Sequence, residues 1–271
     1  MSALDPLVRR AIDVDEANRS LGAEVFDACG ATFVRSRTLP IIHDLNHVAN
    51  VRVADPAGID TLLARVETEF AGYRHRQFVL DVDTPSEFEA RLVQEGYDDV
   101  EASLLMLLEG DLRGRARSHP IRLVTTEDDW TAYARLKRLD WAERAARLKL
   151  GPLPEVGEGL VKTYRAKVPP LRYWFVLADG APRGFFSSWE GPDGVGQVED
   201  LFVEGPCRHR GLAAALIHHA VADCRAAGAG PIVIIADATD TPKTMYAAMG
   251  FRPVAVVRKY TRMWGRPRDP A

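Results

Sequence analysis

The stretch Val198 to Val221, "VEDLFVEGPCRHRGLAAALIHHAV", decides how the rest of the chain is read. An acidic-apolar strand end is broken by Gly205 and Pro206, and basic residues then crowd against Gly211. An alanine-rich helix begins at once. Leu212, Leu216, Ala220 and Cys224 recur at i, i+4, Ile217 and Val221 lie beside them, and Gly228 ends the run. The first turn of such a helix has amide N–H groups without intrahelical acceptors, and its aligned peptide dipoles place partial positive charge there. Gly211 has no side chain to hinder close approach and Ala213 nearly none, while Arg208 and Arg210 add full charge. A diphosphate fits that constellation. The plain alternative is an ordinary helix start with surface arginines. No G-x-x-x-x-G-K-S/T occurs, and no G-x-G-x-x-G follows a strand.

Around this stretch the pattern is mixed α/β. Residues 121–125 read as a strand, 127–150 as a helix, 151–159 as a Gly/Pro loop, 160–167 as a short helix and 172–179 as a strand. Strands at 182–190 and 195–203 flank "GPDG", a hairpin signal. After the helix come a strand at 231–237, a short helix at 241–249 and a strand at 252–262. The first half reads as strands at 30–36 and 50–55, a helix at 59–73, a strand at 76–83, a helix at 84–97 and a strand at 101–108. In the second of those helices Thr84 is the expected N-cap, Pro85 takes the first position and Gly96 the stop. A basic stretch with Gly110, Gly114 and Pro120 marks a boundary or exposed crossover at 111–119. The expected division is 1–115, an α/β N-terminal domain; 116–264, a second domain; and 265–271, a flexible tail. One echo joins the halves: Asp83–Tyr97 and Asp240–Phe251 both run Asp-Thr-Pro, helix, Gly-aromatic. Duplication and shared capping chemistry both account for it.

The 271 residues, 46% hydrophobic and 27% charged, suffice for a real core. A net charge of −3 gives no global reason to bind nucleic acid. No apolar run of about 18 residues occurs, so neither a signal peptide nor a membrane partner is expected. Cys29, Cys207 and Cys224 are odd in number and widely spaced, which suits free thiols in a cytoplasmic protein. His43 and His47 in "HDLNH" stand at i, i+4, but their surroundings read as extended chain with no third ligand, so no metal site is assigned. His218 and His219 read as a partly exposed mid-helix pair, Cys207 has no Cys-His-Asn context, and "RGRARSH" reads as a solvated linker.

The segment Val198–Val221 resembles motif A of the GNAT superfamily of acyl-CoA-dependent N-acetyltransferases. Arg208, Gly211 and Ala213 match its Q/R-x-x-G-x-G/A, with Val203 five residues before Arg208. "MYAAMGFRPV" resembles motif B through Tyr246, Gly250 and Phe251, and the element order from Ile121 to Arg262 agrees. Ala213 replaces the commoner glycine, Pro206 sits one place late, and Thr239 or Asp240 stands where many members carry asparagine, which puts pantetheine or water contacts there in doubt. The resemblance covers the C-terminal half. The N-terminal half lacks any R-x-x-G-x-G/A counterpart, so it looks like a degenerate unit without a CoA site that covers a sheet edge or walls the acceptor pocket.

The resemblance implies a GNAT-type acyltransferase fold, as one unit or a tandem, with acetyl-CoA as co-substrate and no metal. Acetyl-CoA would lie in a V between "DLFV" and "IVIIA". The backbone of Leu201, Phe202 and Val203 would meet the pantetheine arm and polarise the thioester carbonyl, and Arg208, His209, Arg210, Gly211, Leu212 and Ala213 would hold the pyrophosphate. An amine acceptor must lose a proton, at a cost of roughly 4.6 kcal/mol for a lysine-like amine at neutral pH. Glu199 shares strand parity with Gln197 and Leu201 and with the family's carboxylate position, so it is the expected base. A bulge would exchange the faces of Glu199 and Asp200, so Asp200 stands in reserve. Tyr246 would protonate the leaving thiolate; packing is its default role. Trp141, the loop 151–159, Tyr173, Trp174, Trp189 and Glu190 occupy elements that flank the acceptor in such folds. If Glu190 shared a cavity with Glu199, a cationic amine would be favoured.

The reading is an N-acetyltransferase acting on a primary amine of a small molecule or peptide by direct attack in a ternary complex, as a monomer or homodimer. A non-catalytic acyl-CoA-binding module on the same fold is the alternative. A longer acyl chain or an oxygen acceptor is a third possibility.

Overall fold

A computed structural model describes residues 4–147 and 154–263. Helix α1 (Pro6–Ser20) leads into strands β1 (Glu24–Ala28), β2 (Ala31–Arg35) and β3 (His47–Ala49). Helix α2 (Pro56–Glu69) and strand β4 (His75–Leu80) follow, then helix α3 (Ser86–Gln94) and strand β5 (Asp99–Leu108). A coil crossover reaches β6 (Ile121–Leu123), α4 (Glu127–Arg147) and α5 (Pro154–Ala166), and next come β7 (Arg172–Ala178), β8 (Ala181–Trp189) and β9 (Gly196–Val203). Helix α6 (Leu212–Ala226), β10 (Ile232–Asp237), α7 (Pro242–Ala248) and β11 (Arg252–Met263) complete the chain.

The eleven strands of the described residues form one mixed sheet in the order β1-β2-β3-β4-β11-β5-β10-β9-β8-β7-β6. From either end the neighbours are antiparallel up to one parallel pair, β3–β4 on one side and β9–β10 on the other. The middle is an exchange. β5 follows the first half's last helix yet pairs with β10, while β11 follows α7 yet pairs with β4, and the two lie antiparallel against each other. The Asp-Thr-Pro echo occupies matching places before these exchanged strands. Gly96 and Gly250 both take positive φ (80° and 105°), and Tyr97 N–H and Phe251 N–H both reach back five residues, to Leu92 and Tyr246. Both ends are the same helix-closing motif, with a buried aromatic after the glycine.

Two apolar layers cover the second half. One packs α6 and α7 against the sheet through Leu212, Leu216, Ile217 and Val221 with Val198, Ile232 and Ile234. The other packs α1 and α4 through Ala11, Ile12, Trp130 and Tyr133 with Leu105, Phe185, Val195, Phe202 and Val233. The first half has its own core under α2 and α3, around Phe33, Leu62, Phe78 and Phe88.

Five local expectations are corrected. The strand expected at 50–55 ends at Ala49, because Asn50 enters the left-handed region (φ 52°) and turns the chain out. The extended reading of "HDLNH" gives way to a 3₁₀ turn at His43–Leu45 before β3. Thr84 does not cap α3: Pro85 holds the cap position, and the Thr84 hydroxyl donates to Asp81 Oδ1 at 3.0 Å. The loop expected at 151–159 is helical from Pro154 onward, while 151–153 lie outside the described residues, as do the end of the expected 127–150 helix and the tail. Gly159 serves close packing there, since a β-carbon would stand 2.7 Å from Ile42 Cδ1. The fifth concerns the N-terminus, where α1 and β1 were not expected. Asp5 accepts from Leu7 N–H at 2.9 Å and Pro6 opens the helix, so a capped amphipathic helix was overlooked among its charges.

Candidate active site

Strands β9 and β10 pair in parallel only from Gly196–Ile232 to Val198–Ile234, although β9 continues to Val203 and β10 to Asp237. Past Val198 the two part, leaving a V. Glu204 N–H donates to Arg183 C=O beside β8, so by alternation the backbone groups of Leu201 and Val203 turn to the open side and those of Phe202 toward β8. Phe202 pairs with Phe185 across that strand pair. The open side is partly used already: Arg208 Nε donates to Val203 C=O at 2.9 Å.

The V leads to the start of α6. Gly211 is its N-cap in the left-handed region (φ 87°), no side chain caps the first turn, and His209 is also left-handed (φ 61°). The first-turn amides therefore have no side-chain acceptor, unlike those of α1 and α2. Leu212 is buried and Ala213 half-buried, while Arg208, His209 and Arg210 are exposed. Arg208 pairs with Glu143 of α4, and Arg210 with Asp179 at 3.1 Å. The crossover expected as a solvated linker is exposed but not detached. Arg113 N–H donates to Met249 C=O at 2.9 Å, and His119 Nε2 lies 3.2 Å from Arg210 C=O. Between them Arg117 lies over Gly211, where a β-carbon would stand 3.3 Å from its Cδ. Arg117 is thus a cation at the helix start that sequence reasoning missed; the signal was its basic run, which composition alone could not place.

In the first half, α2 is the helix that follows the parallel-pair strand β3, as α6 follows β9. Its N-cap Asp55 accepts from Gly58 N–H at 2.8 Å, so a carboxylate of the chain itself occupies that helix start.

On the other face of the sheet, a bulge decides the acids. Phe185 pairs with Phe202 and Ser187 with Glu199, so two residues of β9 oppose Phe186, and Asp200 takes a positive φ (67°). Glu199 and Asp200 consequently both line one pocket, with Asn18, Arg19, Asp44, Tyr164, Lys167 and Tyr173 among its other walls. Their surroundings differ. Asp200 is held by Lys137 Nζ at 2.6 Å and by the Tyr133 hydroxyl at 3.0 Å. Glu199 receives one side-chain hydrogen bond, from Gln197 Nε2 at 2.9 Å. Burial raises the Glu199 carboxyl above its ordinary value, against the opposing pull of Lys167 and Arg19. Burial works against the charge of Lys137, but Asp140 and Asp200 more than offset it. Tyr133, Tyr164 and Tyr173 pack edge-on or tilted around this cluster with ring centroids 5.4–6.1 Å apart. Only Tyr173 was singled out from sequence; Tyr133 and Lys137, i and i+4 on α4, were legible as one helix face.

Tyr246 lies buried on α7 against Phe251, ring centroids 6.2 Å apart. Burial raises its hydroxyl, with Asp240 and Glu199 pushing the same way, so it keeps its proton. The remaining acceptor candidates scatter. Trp174 bonds Ser188 Oγ at 2.8 Å and packs on the α6 side, Trp189 is core, and Glu190 pairs with Arg172 at 2.8 Å. Glu190 is not among the pocket's walls, so the condition that favoured a cationic amine is not met. Trp141 stands near Gly157, half-buried. His43 stacks on His75, and His47 bonds Glu16 at 2.9 Å. No metal-holding group of His, Cys, Asp and Glu exists among the described residues.

Residues 133–251 match the model of the acetyltransferase (GNAT) family. That segment carries a GNAT acetyltransferase domain, and acyl transfer from an acyl-CoA is the general chemistry the match supports. Among solved structures, a protein of unknown function from Staphylococcus epidermidis is 12% identical, with a TM-score of 0.67 over 90% of this chain and 95% of that one. A GCN5-related N-acetyltransferase from Kribbella flavida is 16% identical, with a TM-score of 0.66 over 92% and 94%. A tandem GNAT protein from the clavulanic acid biosynthesis pathway is 14% identical, with a TM-score of 0.55 over 80% and 73%. At these identities the likeness is one of fold. No curated protein matches the chain. No helix among the described residues is long and apolar enough to cross a membrane.

Proposed function

We propose that the chain is an N-acetyltransferase that moves the acetyl group of acetyl-CoA to the primary amine of a small molecule or peptide in a ternary complex. The observation that carries this is the parting of β9 from β10 after Val198, with an uncapped helix start below the V and the half-buried Glu199 beside it. The pyrophosphate sits at the first turn of α6 under Arg208, Arg210 and Arg117, and pantetheine takes the free backbone positions of Leu201 and Val203. Glu199 removes a proton from the bound ammonium, directly or through water, because Asp200 is already committed to Lys137 and Tyr133. The amine attacks the thioester carbonyl, a C–N bond forms, the C–S bond breaks, Tyr246 protonates the departing thiolate, and the second proton of the amine nitrogen passes through solvent to restore the Tyr246 hydroxyl. Two units, 1–115 and 116–264, divide the work: the second holds CoA, while Asn18, Arg19 and Asp44 of the first wall the acceptor pocket. Cys29, Cys207 and Cys224 are free thiols, in keeping with a cytoplasmic enzyme.

The test is thiol release from acetyl-CoA against a panel of amines, amino acids and peptides, beside calorimetry with CoA. Thiol release that depends on one acceptor class is expected. CoA binding without thiol release for any acceptor would replace the enzyme by a binding module.

A further inference from the structure

Within the acceptor pocket two opposite charges lack partners. Lys167, just past the end of α5, is 6% exposed, and among the described residues its ammonium has one hydrogen-bond partner, Asn18 Oδ1 at 3.0 Å. Among the described residues no carboxylate lies within ion-pair distance of it, whereas Lys137, at 3% exposure, has both Asp140 and Asp200. Glu199 likewise has no ion-pair partner among the described residues and only the Gln197 amide as a side-chain donor. The pocket's other acids are occupied, Asp200 by Lys137 and Asp44 by Lys259. Arg19 is committed to Asp15 and, through Nε, to Glu16 Oε2 at 3.5 Å. Tyr173, 1% exposed and a wall of the same pocket, has an unpartnered hydroxyl.

Helix α1 engages the neighbours of both charges. Its Asn18 holds the Lys167 ammonium, and its Asp15 accepts from Gln197 Nε2 at 3.0 Å, the amide that also binds Glu199. A buried ammonium without a counter-ion is unfavourable, as is a half-buried carboxylate to a smaller degree, and a direct pair would offset both. A ligand carrying an amine at one end and an anion at the other satisfies both at once. A simple alkylamine would leave Lys167 uncompensated, and a dianion would meet Glu199, Asp200 and Asp44.

Resting on the acetyltransferase reading, we infer that the acceptor is a small amino acid: its amine lies at Glu199 and its carboxylate at Lys167, with the Tyr173 hydroxyl as a further donor. Lys167 is then the specificity-determining residue, and the N-terminal half supplies the helix that keeps its ammonium available.

The test compares α-, β- and γ-amino acids with their carboxamides, which keep the amine and lose the carboxylate. Thiol release from acetyl-CoA is followed with wild type, Lys167→Met and Lys167→Arg. The wild type is expected to favour a free acid over its amide by tenfold or more in kcat/KM. Lys167→Met should abolish that preference through KM with the amide rate retained, and Lys167→Arg should restore part of it. Equal use of acid and amide by the wild type overturns the inference, as does a preference that survives Lys167→Met. Equal loss on both substrates in that variant also overturns it, since Lys167 would then act in the chemistry. Thermal stabilisation by the same probes, with CoA present, reads binding without turnover. Stabilisation by acids and not amides, lost in Lys167→Met, supports the inference even if no thiol is released, in which case the acetyltransferase reading alone fails. No stabilisation by any acid, together with no thiol release, sinks both.

Discussion

Glu199 and Asp200 are neighbours in sequence that reach the same pocket, because the left-handed turn at Asp200 folds an extra residue into β9. In a regular strand they would point to opposite faces. The bulge thus gives the pocket two carboxylates, one pinned by Lys137 and one with a single neutral donor.

That difference separates their substitutions. Glu199→Gln should lower kcat by about 10²–10³-fold with unchanged CoA affinity and melting temperature. Asp200→Asn should instead destabilise the fold by about 1–3 kcal/mol, because Lys137 keeps only Asp140. Since burial raises Glu199 and a base must be ionised, the acidic limb of kcat/KM should lie above the ordinary carboxylate range. Full activity down to that range, or the converse pattern of effects, would make Asp200 the base.

Tyr246→Phe keeps the ring against Phe251 and removes only the proton donor. Turnover should fall about 10²-fold while CoA affinity and melting temperature stay put. An unchanged turnover number would return Tyr246 to packing.

At the start of α6, Gly211→Glu should abolish CoA binding, since it sets bulk and negative charge where φ already disfavours a side chain. Arg117→Ala should weaken CoA about three- to tenfold without altering kcat. With Asp55 filling the α2 start, calorimetry should count one CoA per chain. Two equivalents would mean that the first half binds as well.

The buried histidines set an acid limit on stability. Burial pushes His75 down to about 3, with His43 adding to the effect, and burial lowers His43 too. Between the unfolded value near 6.5 and the folded value near 3 the unfolded chain binds more protons, so stability is full above about pH 6.5 and falls as pH drops through that window. The slope should approach about 1.4 kcal/mol per pH unit for each such histidine. Melting curves of His75→Phe, which keeps a ring beside His43, should be flatter there; an equally steep loss would assign the acid sensitivity elsewhere.

The site was legible where chemistry depends on local pattern. The R-x-x-G-x-A run marked the start of α6, whereas strand parity, which set Glu199 and Asp200 on opposite faces or exchanged them at a bulge, did not anticipate that both would line one pocket. What depends on distant parts of the chain was not legible. Gly157 and Gly159 looked like a loop because the packing that makes a glycine useful, Ile42 against Gly159, comes from over a hundred residues away. Lys167 and Asn18 meet across the two halves, and neither carries a motif. The crossover's charge was visible, but its course over Gly211 was fixed by the Arg113–Met249 and His119–Arg210 contacts. The exchange of β5 and β11 has no sequence signature, since which neighbour a strand pairs with is set by the whole sheet.

That exchange governs when the molecule can be finished. β11 fills the gap between β4 and β5 at the centre of the sheet and is made after every other strand. Until it leaves the ribosome, β4 and β5 stand as two bare edges, open to pairing with a neighbouring chain. A protein cut at the crossover would strand each half without the piece it borrows, so the two units, however alike, stand or fall as one.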